Sequence, residues 1–347
     1  MFKRNQTRMM IVFSMALIFG ICLVGNAFAA DKPVVWRFQS VWPTSSAIHP
    51  ILGEMCKRIQ EQSKGALEIK LFGPGEIVAT LEVFDAVSNG VIEIAASSGI
   101  YNASKVPEGL VEFGMPFGLE NVEQHREFWD TYKGGEAFKI VQEAYRKRKI
   151  ELLHINGGTS YGYMVSFPVN SLADFKGKKI RSFGFFGNVV QAMGGAPVSL
   201  PTEDQYMALQ QGTVDGTIFP YLAMETMKFK EVTKHVVMPP ILGCPTSDIY
   251  VSHKAWNQIT PEVQKIVIEN ARWQNVAYLA DEGVKEKEML ANPDKYGYTL
   301  HTLPEADVAQ LKQIGQKIWD SSAKKSPGNA KVIELLRGFM AEKAAAK

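Results

Sequence analysis

The sequence has few cysteines, no large excess of either charge and, after its first thirty residues, no long hydrophobic run. Three cysteines occur in 347 residues, and 38 basic residues stand against 36 acidic ones. So balanced a charge does not favour binding to nucleic acids or to a membrane surface. Because no later apolar run reaches about 18 residues, the sequence predicts no membrane-spanning helix beyond the N-terminus.

Motifs for metal, phosphate and dinucleotide binding are missing as well. The six histidines include no pair at the spacing of metal ligands. There is no phosphate-binding loop, and the two glycines of residues 184–187 (GFFG) do not form the dinucleotide fingerprint. We therefore predict a binding protein rather than an enzyme, with no metal-ligating residues and no cofactor; a metal ion that bridges a bound ligand stays an alternative.

One enzyme motif does occur around Ser160. Residues 158–162 (GTSYG) match the G-x-S-x-G nucleophile elbow. That motif needs a strand before the serine and a helix directly after it. A strand is predicted at 152–155, but residues 163–167 look extended. We therefore favour a turn between two domains here, and a secreted serine hydrolase that uses Ser160 is the alternative.

The first 29 residues are typical of a secretory signal peptide. Residues 3–8 carry three positive charges, residues 9–24 are largely apolar, and residues 27–29 (AFA) have the small residues of a cleavage site. This pattern predicts cleavage and a location in the periplasm.

Two cysteines, Cys56 and Cys244, follow the signal peptide. The periplasm permits disulfides, so a bond between them is one interpretation. Both stand in apolar surroundings, which favours two buried free thiols.

Hydrophobic periodicity predicts an α/β fold with a largely parallel sheet. Strands are predicted at 34–41, 67–71 and 92–96, with helices at about 50–63 and 81–87 between them. This β-α-β-α-β order favours a parallel sheet with helices on both faces.

A long helix is predicted from Thr260 onwards. Thr260, Pro261 and Glu262 supply an N-cap, a proline at the first helical position and an acid in the first turn. No helix breaker follows until about residue 290, and such a helix would be about 45 Å long at 1.5 Å per residue. That exceeds the width of one small domain, so we predict a helix lying along two domains. The first crossing between them is predicted at Gly157-Gly158.

The candidate binding site lies in residues 179–235. Arg181 ends a short strand-like run and precedes a turn rich in glycine and phenylalanine, including Phe183. A guanidinium there can hold a carboxylate by two parallel hydrogen bonds. A helix predicted from about residue 187 would offer free N–H groups to the same anion. From the residues alone, a surface ion pair with an acid such as Asp174 is the alternative and is slightly favoured.

Residues 171–216 resemble the solute-binding proteins of tripartite ATP-independent periplasmic (TRAP) transporters, the DctP-like family. The resembling runs are SLADFKGKKIRS, NVVQAMGG and PVSLPTEDQYMALQQGTVDG. Two earlier runs, GPGEIVATLEVFDAVSNGVIEIA and VPEGLVEFGMPFGL, support the resemblance. Their order and spacing agree over most of the chain.

The resemblance implies an α/β, two-domain periplasmic-binding-protein (Venus-flytrap) architecture, with a long helix spanning both domains. Together with the predicted crossings, it places domain I at 30–157 plus about 247–290, and domain II at 158–246 plus about 291–347. It implies a small organic anion as ligand, and the small and large membrane subunits of a TRAP transporter as partners. We expect a monomer.

The resemblance also assigns site residues. Arg181 aligns with the carboxylate-binding arginine, and Glu76 stands where some members place a pocket acid. Phe219 replaces an asparagine and Tyr161 a second arginine of the sialic-acid binders. These changes predict a smaller or more apolar carboxylic acid, with an aromatic acid or a sulfonate also open; core or hinge packing is the alternative for both side chains. The predicted ligand-binding residues are Arg181, Phe219, Tyr161, Glu76, Phe183, Gly184 and Asn188.

Overall fold

The structure is a computed structural model, and it describes residues 32–346. The predicted signal peptide therefore lies outside the described residues. Within the described part of the chain, no helix is both long enough and apolar enough to cross a membrane.

The described residues form eleven strands in two sheets. In chain order the strands are β1 (Val34–Ser40), β2 (Leu67–Phe72), β3 (Ile94–Ser97), β4 (Ile150–Gly157), β5 (Tyr161–Val165), β6 (Lys179–Arg181), β7 (Ala196–Val198), β8 (Gly216–Pro220), β9 (His235–Leu242), β10 (Thr246–Ser252) and β11 (Thr299–Thr302). The first sheet has the order β2-β1-β3-β10-β4, and the second has the order β11-β9-β5-β8-β6-β7. We call the first sheet with its flanking helices the first lobe, and the second sheet with its flanking helices the second lobe.

The α-helices alternate with these strands over much of the chain. They are α1 (Ile48–Gln62), α2 (Val83–Ser88), α3 (Gly99–Asn102), α4 (Gly109–Phe113), α5 (Val122–Arg126), α6 (Glu136–Arg146), α7 (Phe185–Ala192), α8 (Gln205–Gln210), α9 (Ala223–Thr226), α10 (His253–Trp256), α11 (Pro261–Ala291), α12 (Pro293–Tyr296), α13 (Glu305–Ala323) and α14 (Pro327–Ala345). Single 3-10 turns lie at Thr80–Glu82, Tyr132–Gly134, Leu172–Phe175 and Phe229–Glu231, and a π-helical turn lies at Glu127–Thr131.

The sheet pairing confirms the predicted α/β fold. β1 pairs in parallel with both β2 and β3. β10 enters between β3 and β4 and is antiparallel to both. The chain therefore leaves the first sheet after β4, builds most of the second sheet and returns to the first sheet at β10.

The long helix α11 begins as predicted and contacts both lobes. The Thr260 hydroxyl accepts the Val263 N–H, and Pro261 stands at the first helical position. Near the start of the helix, Asn270 Oδ1 accepts from Arg58 Nε of α1 at 3.0 Å. Near its end, Met289 O accepts from Tyr298 Oη at 2.6 Å, just before β11. The predicted helix along both halves of the molecule is confirmed.

The domain boundaries remain a prediction. One contact of the last helix, α14, bears on them. Phe339 of α14 lies 5.6 Å from the Phe128 ring and 5.1 Å from the Tyr132 ring, centroid to centroid. Both partners lie between β3 and β4. The last helix thus packs on the first lobe, although residues 291–347 were grouped with the second domain.

Both cysteines of the described chain are buried and free, as favoured by their apolar surroundings. Burial raises the pKa of the Cys56 thiol and of the Cys244 thiol to about 12. At neutral pH both are therefore protonated and behave as small apolar side chains.

Candidate functional site

Arg181 ends the three-residue strand β6 and lies inside the molecule. Only 2% of the residue is exposed. Its Nε and Nη2 atoms both donate to the backbone oxygen of Leu200, at 3.1 and 3.0 Å. Two bonds to one carbonyl hold the plane of the guanidinium in a fixed direction.

The surface ion pair considered for Arg181 is not formed. Asp174 instead accepts the backbone N–H groups of Asn170 and Ser171 at 2.7 and 2.9 Å, and these bonds hold its pKa below the ordinary value. No carboxylate of the described chain forms an ion pair with Arg181. Burial lowers the pKa of the guanidinium, while neighbouring Tyr101 raises it.

The guanidinium faces a small cavity of about 10 Å³ with aromatic walls, which we call the aromatic cavity. The Arg181 Cζ atom lies 4.1 Å from the Phe183 ring centroid and 5.5 Å from that of Phe219, within the range of cation–π attraction. No acidic side chain lines it. Its lining residues are Ile100, Tyr101, Phe113, Tyr161, Arg181, Phe183, Phe186, Ile218 and Phe219.

Both lobes contribute rings to the aromatic cavity. Phe113 of α4 lies 5.6 Å from Tyr161, and Tyr101 of α3 lies 4.9 Å from Phe183, each pair edge to face. Neither first-lobe residue was predicted as a site residue. A signal existed for Phe113, since it lies in the run 106–119 that carries part of the family resemblance. Contact across the lobes, however, is a long-range property that local patterns do not reveal.

A second cavity, of about 70 Å³, adjoins the aromatic one. Residues 157–159 and Pro245, where the chain crosses between the sheets, line it, so we call it the crossing cavity. Tyr161 and Phe219 line both cavities, with ring centroids 5.6 Å apart and planes tilted by 56°. These two rings therefore separate the two spaces.

The structure brings together four of the seven predicted residues. Tyr161, Phe183 and Phe219 surround Arg181 in the aromatic cavity. Gly184 and Asn188 are exposed and line a different space of about 420 Å³, which we call the outer cavity.

Two further details differ from the predicted site. Glu76 is exposed in the loop after β2 and lines none of these three cavities. The helix after Arg181 begins at Phe185, earlier than predicted, because Gly184 turns the chain with φ at +51° and serves as the N-cap.

Two hydrogen bonds join the lobes beside these cavities. The Thr202 hydroxyl donates to Val41 O at 2.8 Å, and the Thr80 hydroxyl donates to Glu203 Oε1 at 2.8 Å. Val41 and Thr80 belong to the first lobe, and Thr202 and Glu203 to the second. The lobes are therefore in direct polar contact.

Ser160 does not have the surroundings of a nucleophile elbow. Strand β5 begins at Tyr161, directly after the serine, where the motif requires a helix. The backbone N–H of Ser160 donates to Glu286 Oε1 of α11 at 2.9 Å, and burial raises the pKa of Glu286 to about 7. The interpretation of residues 158–162 as a turn between the lobes fits this geometry.

A second group of buried ionisable side chains lies in the first lobe. Glu112 of α4 and Asp248 of β10 are both 0% exposed. The Tyr145 hydroxyl donates to Glu112 Oε2 at 2.7 Å. Burial raises the pKa of Glu112 well above its ordinary value, and neighbouring Asp248 adds to that rise. Burial also raises the pKa of Asp248, to about 6.

Comparison with known proteins agrees with the resemblance to solute-binding proteins. A model of the bacterial extracellular solute-binding protein family 7 (DctP) matches residues 38–326. The monocarboxylate 2-oxoacid-binding periplasmic protein of Nostoc sp. is 27% identical over 310 residues, which cover 88% of this chain and 84% of that one.

Solved structures share the fold. A TRAP transporter solute-binding protein from Bordetella bronchiseptica, which contains copurified calcium and picolinate, has a TM-score of 0.82 and 27% identity, covering 91% of this chain and 94% of its own. A TRAP periplasmic solute-binding protein from Colwellia psychrerythraea, with bound calcium and pyruvate, has a TM-score of 0.80 and 23% identity, covering 90% of this chain and 96% of its own.

Proposed function

Because this chain belongs to the bacterial extracellular solute-binding proteins of family 7, we propose that it captures a small organic acid between its two lobes and delivers it to a TRAP-type secondary transporter. The periplasm would be its place of action, and the small and large membrane subunits of that transporter would be its partners. The family consists of solute-binding proteins, which agrees with a chain that is not an enzyme.

The observation that carries this proposal is the buried charge of Arg181, which forms no ion pair in the described chain and has Glu203 as an acid only beyond ion-pair distance. Removing a charge from water without an opposite partner costs several kcal/mol. Arginine cannot avoid that cost by losing its proton. The guanidinium has five N–H donors, and the bonds to Leu200 leave some of them for a ligand. A carboxylate or a sulfonate at Arg181 would supply the missing negative charge.

The walls of the aromatic cavity support an acid with little polar surface. A ligand group beside Tyr161, Phe183 or Phe219 meets mainly ring carbons, so hydroxyl groups there would lose their hydrogen bonds to water. Monocarboxylates or aromatic acids fit this surface better than sugar acids do. Gly184, Asn188 and Glu76 remain predicted ligand contacts without support from the cavity.

Calcium accompanies the ligand in the Bordetella bronchiseptica and Colwellia psychrerythraea structures. Calcium sites are built from six to eight oxygen ligands, usually with several carboxylates. Neither the aromatic cavity nor the crossing cavity has an acidic side chain in its lining. The residues of these two cavities therefore do not fit such a site, and we propose binding through Arg181 itself.

The proposal is tested by calorimetry on the mature protein, after a thermal-shift screen over monocarboxylates, aromatic acids and sulfonates. We expect Arg181→Ala to weaken the best acid at least about 30-fold, because removal of one partner of a buried charge pair costs 2 kcal/mol or more. The affinity of Arg181→Lys should lie between those of the wild type and Arg181→Ala, since lysine keeps the charge but loses the paired N–H donors of the guanidinium. Arg337→Ala, at an exposed arginine of α14, is the matched control. Full affinity in Arg181→Ala would refute the proposal.

A further inference from the structure

The crossing cavity adjoins the aromatic cavity and is much larger. The aromatic cavity has a volume of about 10 Å³ and the crossing cavity one of about 70 Å³. Because Tyr161 and Phe219 line both, a ligand held at Arg181 needs to pass only these two rings to enter the second space. The crossing cavity is thus the larger of the two adjoining spaces.

The crossing cavity has a mainly apolar wall. Trp42, Ile48, Leu222, Ala223 and Met227 contribute side chains to it, and no charged side chain is among its lining residues. Such a wall favours the uncharged part of a ligand, because apolar pockets bind a ligand by removing its apolar surface from water.

Several polar side chains of this cavity bind to other residues of its own wall. Asn156 Nδ2 donates to Gln274 Oε1 at 2.9 Å, and Asn275 Nδ2 donates to Gly157 O at 2.6 Å. Trp42 Nε1 donates to the hydroxyl of Ser247 at 3.0 Å. Because these donors are occupied, a ligand with several hydroxyl groups would find few free donors for its oxygens; the Thr246 hydroxyl, which has no hydrogen-bond partner among the described residues, is one that remains.

From these observations, and resting on the proposed function, we infer that the physiological ligand is an elongated acid with an apolar body. Its carboxylate lies at Arg181, and its body extends between Tyr161 and Phe219 into the crossing cavity. These two rings then determine specificity through the thickness of the body that they admit.

The outer cavity is the other direction in which a ligand could extend, since Ile100 and Tyr101 line both it and the aromatic cavity. Its remaining wall is more polar and includes Ser321 and Lys325. An apolar body would have to displace water from these groups without replacing their hydrogen bonds. The crossing cavity therefore fits an apolar body better.

The test measures the affinity of the mature protein for butanoate, hexanoate and octanoate by calorimetry. Burial of each further methylene is expected to raise the affinity about fourfold. Affinity that stays flat or falls from butanoate to octanoate would overturn the inference.

Two matched variants identify the cavity that receives the chain. Ala47 lines the crossing cavity and Ala103 the outer cavity, and both are half-buried with a right-handed helical backbone. Ala47→Leu should lower the affinity for octanoate about tenfold or more, and that for butanoate much less, because the leucine occupies the space of several methylenes. Ala103→Leu should leave the ratio of octanoate to butanoate affinity unchanged. The opposite result, with Ala103→Leu weakening octanoate, would also overturn the inference.

Different results would refute the elongated ligand and the proposed function. If acids of every length bind through Arg181 with equal affinity, the elongated ligand is wrong and the proposed function stands. If no acid binds the wild-type protein, or if Arg181→Ala binds them all as well as the wild type does, the proposed function itself is wrong.

Discussion

The two lobes bury charge in opposite ways. In the first lobe, Glu112 and Asp248 lie together with the Tyr145 hydroxyl, and their raised pKa values let a proton neutralise part of the charge. In the second lobe, Arg181 forms no ion pair in the described chain, the Glu203 carboxylate acts on it only from beyond ion-pair distance, and the guanidinium cannot release its proton. The carboxyl pair can thus be stable in the empty protein, whereas the arginine would gain an ion pair from the proposed anion. Burial alone does not mark a binding site; burial of a charge that cannot neutralise itself does.

The largest effect on stability that this comparison predicts is at Glu112. Glu112→Ala removes the neighbour of Asp248 and the acceptor of the Tyr145 hydroxyl. We expect the free energy of unfolding to fall by about 3 kcal/mol, because the buried Tyr145 hydroxyl loses its acceptor and a cavity replaces the side chain. Urea unfolding of the unliganded protein measures this. Glu112→Gln keeps the shape of the neutral acid and should cost much less, and a loss below about 1 kcal/mol in Glu112→Ala would contradict the description of the pair.

The pH dependence of stability tests the same pair. Because the folded protein holds the Asp248 pKa at about 6, above the value of about 3.9 in an unfolded chain, the folded state binds the proton more tightly. The resulting stability is fully present below about pH 4 and is lost as the pH rises through about 6.

His125 acts in the opposite direction, since burial lowers its pKa to about 3. The useful quantity is therefore the difference in unfolding free energy between the wild type and Asp248→Asn, measured over this pH range. We expect the wild type to lose stability relative to the variant as the pH rises from about 4 through about 6. A constant difference would show that Asp248 does not titrate in this range.

The smallest effect is expected at Arg181, and with the opposite sign. Replacement of a buried charge by an apolar side chain of similar length is often neutral or stabilising. Arg181→Met should therefore raise the unfolding free energy of the unliganded protein by about 1 kcal/mol, while ligand binding is lost. A stability loss like that of Glu112→Ala would mean that the arginine is structural, and the contrast between the lobes would disappear.

Local signals in the sequence predicted much of the fold. Thr260 and Pro261 identify the start of the long helix because an N-cap and a first-turn proline act within a few residues. The β-α-β order likewise predicts that β1, β2 and β3 run parallel. Arg181, by contrast, became the leading candidate through the family resemblance, since the residues alone slightly favoured a surface ion pair.

Long-range contacts account for what the sequence did not predict. Phe113 and Tyr101 reach the aromatic cavity from the other lobe, and Glu112 meets Asp248 only because β10 returns to the first sheet. No local pattern carries that information. Glu76 illustrates the reverse case, because a position carried over from relatives lies in an exposed loop here.

Two hydrogen bonds between the lobes, from Thr202 to Val41 and from Thr80 to Glu203, would lengthen the residence time of the proposed ligand. The lobes cannot separate until both bonds break, yet neither bond involves a residue that lines the aromatic or the crossing cavity. The rate of escape is thus set partly by side chains that never touch the ligand. Since each bond is donated by a neutral hydroxyl, this contribution to the residence time should change little with ionic strength.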